Sequence, residues 1–311
     1  MKSKLLFSLL LLSILFVKCK PDDDSPSMFD PETEVYTLVV EKVDVDPRNL
    51  HLATVNLTNG HIEEFSDQNI YMTGLSGDKG FQASDLEGGR YFLARGYDLL
   101  TIDLETGVTL FDKNVGHFRG VQYNDKTKKL YGIFLNLSSP NSDETNIISE
   151  INPETGDTTL VGYWPYANIL GTYQDIDTDN NRLLAYEPSQ EILYSIDLSS
   201  GEISSASVPS LKGLQFNPNN GQIYGIEQLA NESGFMLVAI DIQTGQKNQL
   251  FSLPFKSIQS EGVQAIHPQS NSYIIWAWDN DDVLRLFSID LTTGETNYQP
   301  KVNRNLWGIQ N

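Results

Sequence analysis

Cysteine is almost absent from this chain. Cys19 is the only one in 311 residues, which excludes both a disulfide framework and a thiolate metal cluster. Histidine is nearly as scarce: His51, His61, His117 and His267 are scattered, without the spacing of a zinc-ligand set. Basic residues are few, with 21 Lys and Arg against 41 Asp and Glu. The formal net charge of −20 argues against a nucleic-acid partner, whose phosphates demand a basic footprint, and reads as a solubilising surface. The longest apolar run covers residues 5–17, too short to cross a bilayer comfortably. Enzymatic signatures are missing as well. The sequence holds no Gly-x-Ser-x-Gly elbow, no His-Glu-x-x-His pair and no Ser-x-Asp-x-Gly-x-Thr-Trp box.

What the chain does have is repetition. Asn56-Leu-Thr-Asn-Gly60, Asp103-Leu-Glu-Thr-Gly107, Asn152-Pro-Glu-Thr-Gly156, Asp197-Leu-Ser-Ser-Gly201, Asp241-Ile-Gln-Thr-Gly245 and Asp290-Leu-Thr-Thr-Gly294 are one phrase. Their glycines recur at intervals of 44 to 49 residues, a period that marks a repeat architecture. Each phrase follows a strand-like run, so the Asp or Asn is expected to close an Asx-turn and the Gly to supply a positive φ. A second phrase keeps step: Gly80-Phe-Gln82, Gly120-Val-Gln122, Gly213-Leu-Gln215, Gly262-Val-Gln264 and Gly308-Ile-Gln310, with Gly171-Thr-Tyr-Gln174 one residue longer. Polar turns and aromatic-rich strands such as Leu130-Tyr-Gly-Ile133 follow. Four short strands per unit of this length describe a propeller blade.

The ends of the chain complete the count. The first unit lacks a Gly-x-Gln strand, and the chain stops on one, Gly308-Ile-Gln310. The expectation is an all-β, six-bladed β-propeller of four-stranded antiparallel blades over residues 35–311, with the C-terminal strand completing the first blade. Closure of this kind removes exposed strand edges. The pattern resembles six-bladed propellers of the NHL and YVTN kinds. That resemblance implies one face carrying the first-to-second and third-to-fourth strand turns. The second-to-third loops and the inter-blade connections would share the other face, where ligands usually sit.

The N-terminus reads as a leader. Lys2 and Lys4 precede the apolar run, as in a secretory signal over residues 1–18. Cys19 and the Lys20-Pro-Asp-Asp-Asp24 that follows resemble the start of a Bacteroidota surface lipoprotein. The resemblance implies lipidation of Cys19, an outer-membrane anchor and display at the cell surface. An ordinary secretory signal with an incidental Cys is the alternative. Residues 19–34, rich in Asp, Pro and Ser, read as a disordered acidic tether.

Function is sought on the face that does not repeat, because variable loops on a rigid scaffold carry binding. Lys79, Arg119, Lys212 and Trp307 stand just before their Gly-x-Gln phrases, and Arg95 and Trp276 close second strands. Together they are the candidate ligand-binding set, with cations and aromatics suited to an acidic sugar. The bland alternative makes them ordinary rim residues in local salt bridges. His117, beside Arg119, is a candidate lyase base. The six glutamines either line the channel or bond the neighbouring blade, and their recurrence favours the second. No motif asks for a cofactor. Glu187 and Glu227 keep open a metal site of the sort that propeller lactonases carry, and Ca²⁺ is the ion considered for Asp-rich stretches. The turn slot held by Asp175-Ile-Asp-Thr-Asp179 reads instead as a hairpin, while Asp279-Asn-Asp-Asp282 is the more plausible cation loop. The leading reading is a monomeric surface lipoprotein that binds a glycan or a surface protein partner. The alternative is a propeller enzyme, either a metal-dependent lactonase-like hydrolase or a polysaccharide lyase.

Overall fold

The computed structural model describes residues 29–40, 48–65, 70–72, 81–136, 146–164, 173–229, 234–258, 263–298 and 305–310. Its six antiparallel sheets form a ring. The first joins both ends of the chain: β26 (Asn305–Gln310) pairs with β1 (Glu34–Val40), which pairs with β2 (Arg48–Asn56). The outer strand of this blade is broken into β3 (Ile62–Glu64) and β4 (Ile70–Met72), both paired with β2. Blade two runs from inside to outside as β5 (Gln82–Asp85), β6 (Arg90–Arg95), β7 (Asp98–Asp103) and β8 (Thr109–Asn114). Blade three is β9 (Phe118–Asn124), β10 (Lys129–Leu135), β11 (Asn146–Ile151) and β12 (Thr158–Trp164). Blade four is β13 (Gln174–Asp177), β14 (Arg182–Glu187), β15 (Ile192–Asp197) and β16 (Ile203–Ser207). Blade five is β17 (Gln215–Asn217), β18 (Gln222–Gln228), β19 (Phe235–Ile240) and β20 (Lys247–Leu253). In blade six β21 (Ser257–Ile258) and β22 (Gln264–His267) share the inner edge of β23 (Ser272–Trp278), followed by β24 (Leu284–Asp290) and β25 (Thr296–Tyr298). The expected ring and its closure by the C-terminal strand are both present.

Six apolar clusters fill the ring, one between each adjacent pair of blades. Strand β23 shows why its sequence is apolar without interruption. Tyr273, Ile275 and Ala277 pack towards blade five, whereas Ile274 and Trp276 pack towards blade one. Both faces are covered, so the period-two alternation separates two cores rather than core from solvent.

The repeated turn behaves identically in all six units. Each Asp or Asn Oδ1 accepts from the backbone N–H groups two and three residues on, as at Asp290, with Thr292 N at 2.8 Å and Thr293 N at 2.7 Å. The closing glycines have φ between 67° and 78°, a region in which an L side chain is strained.

The Gly-x-Gln phrase, in contrast, occupies two registers. In blades two, four and six the Gln lies three residues before the polar turn cap (Gln82 to Asp85, Gln174 to Asp177, Gln264 to His267); in blades three and five it lies two before (Gln122 to Asn124, Gln215 to Asn217). The first group bonds the preceding blade. Gln82 Nε2 donates to the Trp307 carbonyl at 3.0 Å, Gln174 to that of Arg119 at 3.0 Å, and Gln264 to that of Lys212 at 3.2 Å. A Cβ on Gly308, Gly120 or Gly213 would collide with these glutamines, so the Gly of one phrase makes room for the Gln of the next. Tyr91 and Tyr273 donate their hydroxyls to Gln82 and Gln264. Leu183 stands at the matching position of blade four, and Gln174 Oε1 is accordingly buried without a partner.

The tether read from composition is six residues too long. Residues 29–34 belong to the folded ring. The Phe29 ring stacks on Tyr36 with centroids 4.3 Å apart, and Asp30 holds the turn through Glu32 N at 3.0 Å and Thr33 Oγ1 at 2.8 Å. Leu57 N donates to the Thr33 carbonyl, and the His267 ring reaches the Pro31 carbonyl at 3.0 Å through Nε2. Ser270 N donates to His267 Nδ1, which assigns the ring proton to Nε2. Local capping and one aromatic contact order this stretch despite its polar composition. The chain thereby enters the ring on the face of the repeated turns. Residues 1–18, Cys19 and Lys79 lie outside the described residues.

Candidate ligand-binding face

On the face opposite the repeated turns, blades two and three carry a built surface. Gly96 and Tyr97 form a two-residue connection between β6 and β7, with φ of 64° at Gly96. The chain leading into blade three is strapped across it: Val115 N and Gly116 N donate to the Tyr97 carbonyl at 3.0 and 3.2 Å, and Phe118 N to that of Gly96 at 2.9 Å. This strap lays the His117 ring against Tyr97, with centroids 4.6 Å apart and planes 31° from parallel. Tyr97 is 46% exposed, one of the few large apolar groups on the surface among the described residues. Burial first, and then the charge of Arg119, hold His117 below the ordinary imidazole value, so it is neutral at pH 7. His117 Nδ1 and Arg119 Nε are buried atoms without hydrogen-bond partners.

The sequence candidates divide by what the tertiary structure does with them. Arg119, Lys212 and Trp307 share one position, the residue before the glycine in blades three, five and one. Their carbonyls receive the Gln174, Gln264 and Gln82 amides, so the backbone is structural while the side chains lie at the end of the inner strands away from the repeated turns. Trp307 is half-buried against the core between blades one and two. Arg95 is an ion-pair residue: Nη2 meets both carboxylate oxygens of Asp112 at 2.9 Å, with Asp98 at 3.8 Å. Trp276 must be withdrawn from the ligand set. It is 1% exposed in the core between blades one and six, placed there by the alternation of β23.

The two carboxylates considered for a metal do not converge on one. Glu227 receives Lys247 Nζ at 2.5 Å and Gln249 Nε2 at 3.2 Å. Burial pushes its carboxyl up, but these bonds outweigh it and hold Glu227 below the usual carboxylate range. Glu187 is buried, with Oε1 accepting from Ser189 N and Oγ at 3.1 and 2.7 Å and Oε2 without a partner. Among the described residues no group of three or more His, Cys, Asp or Glu side chains is arranged to hold a metal ion. Asp279-Asn-Asp-Asp282 is also committed elsewhere: Asp279 accepts from Asp281 N, Val283 N and Arg285 Nε, while Asp282 pairs with Lys256. In the Asp175 stretch, Asp177 caps its turn through Asn180 N at 3.0 Å and Asp179 pairs with Lys126, as a hairpin requires. Tyr97 is the residue that sequence reasoning missed. Its signal is the Gly-Tyr pair between two strand-like runs, which places an aromatic at a hairpin tip.

No protein-family model matches the chain, and no curated protein matches it either. Solved structures do. TolB from Acinetobacter baumannii superposes with a TM-score of 0.60 at 11% identity, over 91% of this chain and 67% of that one. A protein of unknown function from Bacteroides caccae reaches 0.59 at 12% identity, covering 89% of this chain and 98% of its own. An oligogalacturonate lyase in complex with manganese reaches 0.55 at 11% identity, over 88% and 75%. At such identities the likeness is one of fold, a β-propeller shared by proteins of mixed function.

Proposed function

We propose that this protein is a lipid-anchored, monomeric surface propeller that binds an acidic glycan on the face opposite its repeated turns. The observation that carries the reading is the Tyr97–His117 platform beside Arg119. An exposed aromatic face suits the apolar side of a sugar ring, and a guanidinium suits its carboxylate. The entry of the chain supports the direction of display. Cys19 lies ten residues before Phe29, so an anchor there is at most ~35 Å of extended chain from the turn face. The Tyr97 surface then points away from the membrane.

A lyase would also use a neutral His beside an Arg. The unpartnered Nδ1 of His117 is buried, however, out of reach of a substrate proton, while its ring face backs the exposed Tyr97. Calorimetry with oligogalacturonate and a neutral oligosaccharide of equal length tests the reading. Arg119→Ala is expected to weaken acidic-glycan binding about tenfold, the loss of one charge-assisted pair. Its unfolding midpoint should not move, because Gln174 bonds only the backbone of Arg119. Unchanged affinity would refute the site; appearance of an unsaturated sugar would replace binding by turnover. Binding only to an outer-membrane protein would move the ligand class from glycan to protein.

A further inference from the structure

The two registers of the Gly-x-Gln phrase give the channel two unlike sides. A cavity of about 150 Å³ occupies its turn-face end, with Asp125, Pro218 and Pro268 from the first-to-second strand turns in its outer wall. Two residues before the turn cap, blades two and six present Ala83 and Ala265, whereas blade three presents Gln122 and blade five Gln215. In blade one, between the two alanines in the ring, the Gln310 amide is spent on the Gln82 carbonyl at 3.0 Å. That leaves one side of the wall to Ala83, Ala265 and Ile309, and the polar side to blades three to five.

The polar side holds open groups. Gln122 is 5% exposed, and its Nε2 has no hydrogen-bond partner among the described residues. The Thr178 hydroxyl oxygen in the same wall is likewise buried and unmet. Buried polar groups left open around a cavity point to something that fills it. Their chemistry narrows the occupant. An amide N–H donates, so Gln122 asks for an acceptor oxygen, and Thr178 can donate or accept. Asp175 is structural, its Oδ1 accepting from Ile176 N at 2.9 Å and its Oδ2 from Phe216 N of the next blade at 2.8 Å. Its charge and that of Asp125, with no Lys, Arg or His among the described residues of the wall, turn anions away. What fits is a neutral group with one acceptor, one donor and an apolar end: a secondary amide that carries a methyl. The volume equals about five waters, room for one such group but not for a chain continuing on both sides.

We propose that the turn-face end of the channel binds the acetamido group of a neutral N-acetylated sugar. The carbonyl accepts from Gln122, the amide N–H donates to Thr178, and the methyl packs towards Ala83 and Ala265. This site lies on the opposite face from the acidic-glycan surface and stands independently of it.

Calorimetry on the full chain tests this with N-acetylglucosamine as the probe and glucose as the sugar that lacks the amide. One saturable equivalent of N-acetylglucosamine is expected, with a Kd on the order of 1 mM, ordinary for a ligand of that size. Glucose should bind at least about tenfold more weakly, because it leaves the buried amide of Gln122 unpaired. Gln122→Leu should weaken the probe about fivefold, the worth of one hydrogen bond between neutral groups. Thr178→Val should act by a similar factor, which keeps the test decisive if one variant fails to fold. No saturation at about ten times the expected Kd overturns the proposal and leaves a water-filled cavity. So do equal affinities for the two sugars, and so does unchanged affinity in the folded variants, which would put the sugar elsewhere on the ring. Tighter binding of N-acetylalanine methylamide would overturn the sugar in favour of a peptide amide.

Discussion

The two faces of the ring solve different problems. On the turn face six hairpins make the same Asx closure, with the same pair of backbone donors and the same left-handed glycine. On the opposite face the described connections are unlike one another: one stacks Tyr97 on His117, another is held by Asp279 and a third by Glu187. The contrast teaches that repetition marks what the backbone needs for itself, while a ligand requires a place where symmetry fails. The channel repeats the lesson inside a single motif. Gln82, Gln174 and Gln264 hold blades together, and a shift of one residue turns Gln122 and Gln215 to the cavity.

A ligand residue could be removed without harm to the fold, whereas Trp276→Ala should destabilise the protein by about 3–5 kcal/mol, the cost of emptying a buried aromatic site. Chemical denaturation measures it, and acidic-glycan affinity should be unchanged in the folded fraction. A smaller effect separates the two glutamine registers. Gln264→Leu strands the Lys212 carbonyl and the buried Tyr273 hydroxyl and should cost about 1–3 kcal/mol. Gln122→Leu, which removes an unmet amide, should fall within about 0.5 kcal/mol of the parent. Equal losses in the two variants would erase the distinction.

The smallest effect sharpens the turn face. Asp290→Ala loses the Asx closure and should cost about 1 kcal/mol, whereas Asp290→Asn, the residue already used at Asn56 and Asn152, should be nearly neutral at pH 7. Hydrogen bonds from Thr293 N and Thr292 N hold the Asp290 carboxyl below its ordinary 3.8 in the folded state, against the opposing effect of burial. A folded value below the unfolded one means stability that is present above pH 3.8 and lost as pH falls through the folded value. Asp103 and Asp197 are lowered in the same sense, through bonds from Thr106 and from Ser200 and Ser199. The parent should therefore lose stability on acidification below pH 3.8, and Asp290→Asn should lose less of it across that window.

The blades and their count are legible in the residues because an Asx-turn, a left-handed Gly and a run of apolar residues are local events. A few neighbours along the chain decide each of them. The ring closure is legible for the same reason: a first unit short of one strand and a last strand without a unit can only complement each other. The site is less legible. Arg95, Trp276 and Glu227 look equivalent as polar or aromatic residues at strand ends. Only their surroundings make one an ion-pair partner of Asp112, one a core residue between blades and one the acceptor of Lys247.

Taken alone, then, the chain determines a six-bladed ring, the turns that hold it and the face on which variation is concentrated. Tertiary structure decides which glutamines bond and which line the channel, since a single residue of register against the turn cap reverses the side of the strand on which a side chain emerges. It also decides that Asp175 lines one cavity with Gln122 and Gln215, residues some forty to fifty positions away that are gathered only because six inner strands share one axis. Spacing within a repeat is written in sequence; proximity between repeats exists only once the ring has closed.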